Sequence, residues 1–431
     1  MKYETFRDLS CPACGSSLKL KNSFVRKEDE VLYGIVGCGC NEYPILDGIL
    51  VLRSDGLSKW IVKVLAGHNF AGALLLFVTW EAPVFSSLFS ENKNPLTINV
   101  LQFLAKLSKK HFVLEADRLT FRQLVEKLGL GRYGNYLIHR FSCHTFWNVY
   151  ALLPLLGEVG APVLDFGCGA GHASFVFSRF SQYRKNFCVD ANFLNLFLAN
   201  KYCVNAQFIC VDDTSTLPFK DGFFSLVFCL DAFHYVKSKL PMSMEFQRIL
   251  KNEGAIVMPH LHNALKHNTR AGTPLPASSY SKLFDKIKAV TFPEDHLLHS
   301  FLWEDCVDLG EVYSQKDIDS SKTVTLIASH NQKLFKEYHE VKRYLLSMKD
   351  FLIINPLYEL TQIGDEYFLK RVNPDRIFMK EFYLTEKILP QVMNIKKTVR
   401  EAIMTKRYER YEKEINKLIE SFVLIDVPNR Y

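Results

Sequence analysis

The stretch at residues 163–171, VLDFGCGAG, constrains the fold of this chain more than any other. It begins with strand-forming apolar residues, and Asp165 ends the predicted strand. Three alternating glycines then remove side chains, so the backbone can approach a ligand closely. The apolar segment 173–177 suits a helix that packs on a sheet. A strand, a glycine turn and a helix start in this order predict a nucleotide-binding corner in a doubly wound α/β sheet.

The spacing of the glycines indicates which nucleotide binds. A dinucleotide site needs G-x-G-x-x-G, but here the third glycine comes one residue early and His172 holds the required position. The observed D-x-G-x-G-x-G, with an acid at the strand end, resembles the first motif of class I S-adenosylmethionine-dependent methyltransferases. The resemblance implies a seven-stranded, mostly parallel Rossmann-like sheet and S-adenosylmethionine as the cofactor.

Later segments resemble the following motifs of the same family, in the same order. A second predicted strand ends in Asp190, whose carboxylate could accept both ribose hydroxyls of an adenosyl group. The passage LPFKDGFFSLVF at 217–228 resembles methyltransferases related to the quinone-biosynthesis enzymes, although Ser225 stands where that family usually has Asp. In that pattern the acid lies four residues before the Leu, so Asp213 rather than Asp212 would meet the adenine amino group.

Two further matches complete the cofactor site that the resemblance implies. Residues 230–236 resemble the loop after the fourth strand, and residues 251–257 resemble the turn into the fifth. The resemblance implies that the glycine turn holds the methionine and ribose portions of the cofactor. Asp213 and the Thr214 backbone would meet the adenine, and Leu230 would flank the methionine tail. The cofactor-binding residues implied in this way are Asp165, Gly167, Cys168, Gly169, Gly171, Asp190, Ala191, Asp213, Thr214 and Leu230.

Four cysteines near the start of the chain are arranged like metal ligands. Cys11 and Cys14 form a C-x-x-C knuckle, and Cys38 and Cys40 form a tighter C-x-C pair. With YPILDGI at 43–49, this block resembles the zinc-ribbon module that activates some tRNA and translation-factor methyltransferases and also occurs fused to methyltransferase domains. The resemblance implies a structural zinc ion. The alternative is four buried thiols without metal, but a module this small can hardly form a core on its own.

Length and composition predict a folded protein of two or three domains. The chain has 431 residues, 48% hydrophobic, and its net charge of +7 is too mild to argue for nucleic acid. We expect four parts: a zinc-ribbon-like module at 1–55, a helical connector that covers the cofactor at 56–150, a class I methyltransferase domain at 151–330, and a mostly helical region at 331–431.

The location of the protein is expected to be cytoplasmic. The charged first residues lack the apolar core of a secretory signal, and eleven cysteines, an odd number, suit a reducing compartment. The longest apolar run, residues 71–80, is too short to span a bilayer and predicts a buried helix. No membrane span is therefore expected.

Several histidines are candidates for the chemistry. His234 follows the fourth predicted strand and is the candidate general base, with a packed histidine at a helix start as the alternative. His260 and His262 follow the fifth strand and face the same way, so they could form a substrate wall or accept a proton. A metal site there would need a third ligand, which the sequence does not reveal. Arg140 or His144 could line the site, or both could be surface residues.

The predicted function is methyl transfer from S-adenosylmethionine to an O, C or N atom of a small molecule or biosynthetic intermediate. The N/D-P-P-Y motif of amide-nitrogen methyltransferases is absent after the fourth strand, where LDAF stands at 230–233. Two alternatives remain open: a methyltransferase that acts on tRNA or protein through the zinc ribbon as a docking surface, and a non-catalytic cofactor-binding scaffold.

Overall fold

The computed structural model describes residues 1–81, 116–180, 185–212, 216–267, 272–374, 378 and 382–431. The strands in these residues are β1 Lys19–Lys27, β2 Glu30–Gly37, β3 Glu42–Leu46, β4 Ile49–Leu52, β5 Val163–Phe166, β6 Asn186–Asp190, β7 Gln207–Val211, β8 Phe224–Phe228, β9 Leu250–His262, β10 Lys288–Pro293, β11 Cys306–Asp308, β12 Thr323–Ser329, β13 Glu337–His339, β14 Leu352–Ile354, β15 Tyr358–Ile363, β16 Glu366–Arg371, β17 Val392–Lys396 and β18 Leu424–Asp426.

Helices cover the sheet and fill the ends of the chain. The α-helices in the described residues are α1 Gly56–Ala66, α2 Phe70–Glu81, α3 Phe121–Lys127, α4 Gly131–Ile138, α5 His144–Ala151, α6 Leu153–Val159, α7 His172–Ser178, α8 Phe193–Leu198, α9 Lys239–Ile249, α10 Glu294–His299, α11 Gln315–Ser320, α12 Lys342–Leu346, α13 Tyr383–Ile388, α14 Lys397–Met404 and α15 Glu412–Glu420. A short 3-10 helix, Phe233–Tyr235, lies between β8 and α9.

The central sheet has the predicted doubly wound topology. Seven neighbouring strands of the described residues run in the order β7-β6-β5-β8-β9-β12-β10. The first five are mutually parallel, and β12 is antiparallel to both of its neighbours. Strands β7 and β8 are buried along their whole length, as expected of parallel strands covered by helices on both faces. The expected mostly parallel α/β fold is confirmed.

The N-terminal strands extend this same sheet. Strand β4 pairs in parallel with β7, from Ile49 opposite Phe208 to Leu52 opposite Val211. Strands β1, β2 and β3 then continue outward as an antiparallel meander, so eleven of the described strands form one sheet. All four residues of β4 are buried, because both faces are covered: Ile49 and Val51 pack into one apolar cluster, and Leu50 and Leu52 pack into another. The first residues are thus joined to the central sheet by backbone hydrogen bonds.

The C-terminal part differs from the mostly helical expectation. Besides α12 to α15 it contains the three-stranded sheet β15-β16-β17 and the pair β14-β18. It is anchored to the centre of the molecule by Phe422, whose ring stacks on that of Trp147 with 4.0 Å between centroids and 9° between planes. The segment 396–417, in which Lys and Arg are interspersed with Glu, includes the last residue of β17 as well as helices.

The apolar run near residue 70 forms a helix, as expected. Helix α2 has 12 residues, and those from Ala73 to Val78 are buried. Among the described residues, no helix combines the length and the apolar character needed to cross a membrane.

Replacement of Trp147 by Ala should destabilise the protein strongly. The indole is fully buried, stacks on Phe422 and donates a hydrogen bond to the Phe141 carbonyl at 3.3 Å. Loss of a buried Trp costs about 3–5 kcal/mol of unfolding free energy. The matched control is Trp303→Ala, since Trp303 is 62% exposed, and it should change stability by less than about 0.5 kcal/mol. Urea unfolding measures both; equal effects would contradict the anchoring role of Trp147.

Candidate functional site

A cavity of about 470 Å³ lies at the carboxyl ends of the central parallel strands. Each of β5, β6, β7 and β8 contributes residues at or just after its last position, because the ends of parallel strands meet at one edge of the sheet. Residues of α4 and of the 3-10 helix after β8 complete the wall. The lining residues that matter below are Gly167, Gly169, Asp190, Ala191, Asp212, Leu230, Asp231, Tyr133, Tyr136 and Tyr235.

The glycine turn forms one side of the cavity. Gly167, Gly169 and Gly171 all have positive φ, at 67°, 54° and 79°. A Cβ atom on Gly167 would lie 2.4 Å from the Cβ of Ala232, whereas one on Gly169 would meet nothing within 4 Å. Gly167 therefore permits close packing of the turn against the loop after β8, and Gly169 leaves open space on the cavity side.

Asp190 fixes the turn from the end of the next strand. One carboxylate oxygen accepts a hydrogen bond from the Gly169 backbone N–H at 2.8 Å, and the other accepts from the Asn192 N–H at 2.8 Å. The Asn195 amide lies 3.4 Å from the second oxygen. Burial raises the pKa of Asp190, although these hydrogen bonds oppose the rise. Its position at the cavity wall leaves the carboxylate within reach of a ligand's hydroxyl groups.

Five of the predicted cofactor residues line the cavity, and three others do not. Gly167, Gly169, Asp190, Ala191 and Leu230 belong to the wall. Asp165 is buried behind it, accepts a hydrogen bond from the Ser174 hydroxyl at 2.7 Å, and has its pKa raised to about 7 by burial. Cys168 is also buried, and Gly171 caps α7. Asp213 and Thr214 lie outside the described residues.

Asp212 lines the cavity at the end of β7, although the sequence pattern pointed to its neighbour. Its carboxylate lies 3.0 Å from Nε of Arg53, which also pairs with Asp55 at 2.6 Å. Arg53 follows β4, so the N-terminal strands place a guanidinium at this side of the cavity. The pairing could not be anticipated, because the sequence gives no sign that β4 lies beside β7.

Two tyrosines of α4 cover the cavity, Tyr133 and Tyr136. Their rings are stacked, with 5.9 Å between centroids. The Tyr133 hydroxyl donates to the side-chain oxygen of Asn195 at 2.5 Å, and the Tyr136 hydroxyl donates to Asp231 at 3.3 Å. Both lie in the segment expected to cover a cofactor, but only the fold identifies which side chains do so.

Asp231 forms a buried ion pair at the wall of the cavity. Its Oδ2 atom lies 3.2 Å from Nη1 of Arg140, and both side chains are only 4% exposed. Arg140 is thus buried beside the cavity rather than on the surface. His144 is buried as well, and its Nδ1 lies 3.0 Å from the Thr385 hydroxyl. Although burial opposes ionisation, His260 and Arg140 hold the pKa of Asp231 below its ordinary value.

Three histidines surround the other carboxylate oxygen of Asp231. The Nε2 atoms of His234, His260 and His262 lie 3.9, 4.0 and 3.7 Å from Oδ1. His234 is fully buried, is not part of the cavity wall, and has its pKa lowered to about 3 by burial. Burial alone would lower the pKa of His260, but Glu294 and Asp231 raise it above its ordinary value. His234 therefore stands behind Asp231 when seen from the cavity.

The four N-terminal cysteines come together in space. The Sγ atoms of Cys11 and Cys40 are 3.6 Å apart, those of Cys14 and Cys38 are 3.7 Å apart, and those of Cys38 and Cys40 are 3.2 Å apart. Thiolates that bind one zinc ion at about 2.3 Å in a tetrahedron are separated by about 3.8 Å. The cluster therefore has the size of a four-thiolate metal site, and the C-x-C spacing does not prevent it.

Comparison with known proteins identifies the domain that contains the cavity. Residues 164–258 match the family model described as a methyltransferase domain. This methyltransferase domain begins in β5 and ends in β9, so it includes the glycine turn, Asp190 and the loop after β8. The match agrees with the class I fold of the sheet, and it leaves the substrate undetermined.

The methyltransferase domain also resembles individual proteins. An uncharacterized protein of Methanocaldococcus jannaschii, MJ0638, is 33% identical over 96 residues, which are 22% of this chain and 39% of that protein. This chain thus spans about two fifths of the length of the curated relative it matches. Among solved structures, the YcgJ protein from Bacillus subtilis aligns with a TM-score of 0.31 and 17% identity, over 43% of this chain and 99% of that one. A TehB-like SAM-dependent methyltransferase from Corynebacterium glutamicum aligns with a TM-score of 0.31 and 16% identity, over 42% and 86%.

Alanine substitutions at Gly167 and Gly169 should destabilise the protein to different extents, because Gly167 is closely packed and Gly169 faces open space. Gly167→Ala places a methyl group 2.4 Å from Ala232, so overpacking should cost about 1–3 kcal/mol beyond the strain of a positive φ. Gly169→Ala carries only that strain, about 1–2 kcal/mol, because nothing lies within 4 Å of its Cβ. Urea unfolding should therefore rank Gly167→Ala as the less stable variant. The reverse order would show that the turn does not pack on Ala232 in this way.

Proposed function

We propose that this protein transfers a methyl group from S-adenosylmethionine to a small-molecule acceptor. The observation that carries the proposal is the place of the cavity within the methyltransferase domain. It lies at the carboxyl ends of the parallel strands and is lined by the glycine turn and Asp190, where open α/β sheets bind their ligands. Its volume, about 470 Å³, is within the range of small-molecule sites.

The residues present fit the cofactor. The open space at Gly169 admits the backbone approach that a methionine and ribose portion needs, and Asp190 offers carboxylate oxygens to ribose hydroxyls. Ala191 and Asp212 would flank the adenine side, and Leu230 the methionine tail. Bound S-adenosylmethionine supplies an electrophilic methyl group, so the protein needs chiefly to bind, orient and exclude water.

The acceptor side of the cavity favours a small molecule. Tyr136, Asp231 and Tyr235 form a wall there, and buried Arg140 closes it from behind. A proton on the acceptor would meet Asp231 or Tyr235 before His234, because His234 lies behind the wall. We therefore propose that His234 acts on any proton transfer only through Asp231.

Replacement of Asp190 should abolish tight cofactor binding. Hydrogen bonds to a charged group contribute about 1.5–3 kcal/mol each, so loss of the carboxylate should weaken binding of S-adenosylmethionine and S-adenosylhomocysteine by at least about tenfold. Calorimetric titration of Asp190→Asn, which retains the side-chain shape, measures this. Asp285→Ala is the matched control, since Asp285 is exposed and does not line the cavity. Absence of binding by the folded wild-type protein would refute the proposal.

The cysteine cluster is proposed to hold one structural zinc ion. Cys14→Ser should lower the zinc content by about one equivalent per chain, because a closed tetrahedral site loses a ligand. Cys306→Ser is the matched control, since Cys306 lies outside the cluster. Elemental analysis of the purified proteins measures the content. An unchanged zinc content in Cys14→Ser would leave the four cysteines as metal-free thiols.

A further inference from the structure

A buried carboxylate oxygen faces three imidazole nitrogens at distances that no hydrogen bond explains. Oδ1 of Asp231 lies 3.7–4.0 Å from Nε2 of His262, His234 and His260, which is beyond hydrogen-bond reach. Among the residues that the structure describes, this oxygen has no hydrogen-bond partner. An ionised oxygen without a partner in a dry interior is unfavourable, so something should lie between these groups.

The spacing fits a metal ion. One ligand atom from each of Asp231, His260 and His262 can be chosen so that all three lie within 4.8 Å of one another. Nitrogen and oxygen ligands at about 2.0–2.2 Å from a tetrahedral ion are separated by about 3.3–3.6 Å. The observed 3.7 and 4.0 Å to Asp231 would therefore need only a small inward movement. The ring of His234 lies flat on that of His262, with 3.9 Å between centroids, and supports it from the side.

The surroundings of His260 are those of a metal-bound imidazole. Its Nδ1 lies 2.8 and 2.9 Å from the two carboxylate oxygens of buried Glu294. A carboxylate on one ring nitrogen fixes the tautomer and orients the other nitrogen toward a metal, an arrangement typical of metal-binding histidines. Glu294 is itself held by a hydrogen bond from the Asn148 amide. The ring is thus locked with Nε2 directed at Asp231.

The backbone also holds the three residues in place. Asp231 and His260 both have positive φ, at 54° and 58°, a strained conformation that tends to occur at functional sites. The pairing of β9 with β12 shifts register between Val324 and Leu326, so that Thr325 lies opposite both Pro259 and His260, which is the sign of a bulge in β9. Bulges redirect side chains near sites. The Asp231 N–H donates to the Pro259 carbonyl at 3.1 Å and so links both strand ends.

We propose that Asp231, His260 and His262 bind a divalent transition-metal ion at the wall of the cofactor cavity, with an open coordination position toward the acceptor. Two imidazoles and one carboxylate suit Zn²⁺, Fe²⁺ or Co²⁺ and leave positions free. Of the three ligand residues, Asp231 is the one that lines the cavity, beside Leu230 and Tyr235, so an acceptor would reach the ion past the Asp231 carboxylate.

Such an ion would indicate that the methyl acceptor is a hydroxyl group. This inference rests on the proposed methyl transfer. A divalent ion lowers the pKa of a hydroxyl group bound to it. The hydroxyl proton leaves to water, an oxygen lone pair forms the new bond to the methyl carbon, and the electron pair of the broken sulfur–carbon bond stays on sulfur. The product is a methyl ether and a neutral thioether.

Cobalt titration of the full-length protein, after dialysis against a chelator, tests the site. Co²⁺ bound to the cysteine cluster gives a thiolate charge-transfer band, whereas Co²⁺ bound to two imidazoles and a carboxylate gives visible d–d bands without it. We expect one stoichiometric equivalent of the second kind, whether or not the cysteines also take an ion. Wild-type protein that shows no such equivalent would overturn the proposal.

Variants then locate the ion. His262→Gln should no longer bind the Co²⁺ ion that has nitrogen and oxygen ligands, and it should keep any Co²⁺ ion bound to the cysteines. His299→Gln is the matched control, since its side chain is 60% exposed, and it should bind as wild type. If circular dichroism shows that His262→Gln is unfolded, Asp231→Asn replaces it, because the amide keeps the shape and loses the charge. If the folded variant still binds the Co²⁺ ion that has nitrogen and oxygen ligands, the proposed ligand set is wrong.

Cofactor titration separates this proposal from the proposed function. In wild-type protein we expect S-adenosylhomocysteine to bind, and His262→Gln should change its affinity by less than about threefold, because His262 does not line the cavity. Cobalt binding without S-adenosylhomocysteine binding would support the metal site and refute the methyltransferase proposal. The opposite result would refute the metal site and leave methyl transfer standing.

Discussion

The arrangement of this cavity depends on the contacts of one buried carboxylate, that of Asp231. One of its oxygens meets the Tyr136 hydroxyl at 3.3 Å and Arg140 at 3.2 Å, and the other faces three histidines. A charge buried away from water must be matched by fixed partners. The helix that covers the cavity, the loop after β8 and the end of β9 are therefore held in one mutual position by a single side chain.

The N-terminal strands have a comparable effect on the opposite side of the cavity. Because β4 pairs in parallel with β7, the residues that follow these strands lie side by side. Arg53 follows β4 and meets Asp212 at 3.0 Å, where Asp212 lines the cavity. An ion in the cysteine cluster would stabilise the meander that positions β4, so its effect would extend to the cofactor side. The N-terminal strands thus belong to the same sheet as the strands whose ends form the cavity.

The cofactor side was predictable from sequence because its signals are local. Five residues expected from the motifs line the cavity, and each lies within three residues of the end of a strand. Residues 167 and 169 have positive φ angles, a conformation that favours glycine, so the turn is recognisable in the sequence. The same motifs predict the doubly wound, mostly parallel sheet, which is confirmed. The strands at 358–371 and 392–396 were not foreseen, because their short alternating patterns lie among charged residues that also suit helices.

The acceptor side was not predictable, because it is formed by contacts between distant residues. Tyr136 and Asp231 are 95 positions apart, His260 and Glu294 are 34 apart, and Asn148 and Glu294 are 146 apart. The sequence shows His260 and His262 two positions apart at the end of β9. Asp231 follows β8 and comes beside them only because β8 and β9 pair. In a domain of this kind, short sequence motifs therefore predict the cofactor. The chemistry of the acceptor depends instead on which side chains the sheet and the helix that covers it bring together.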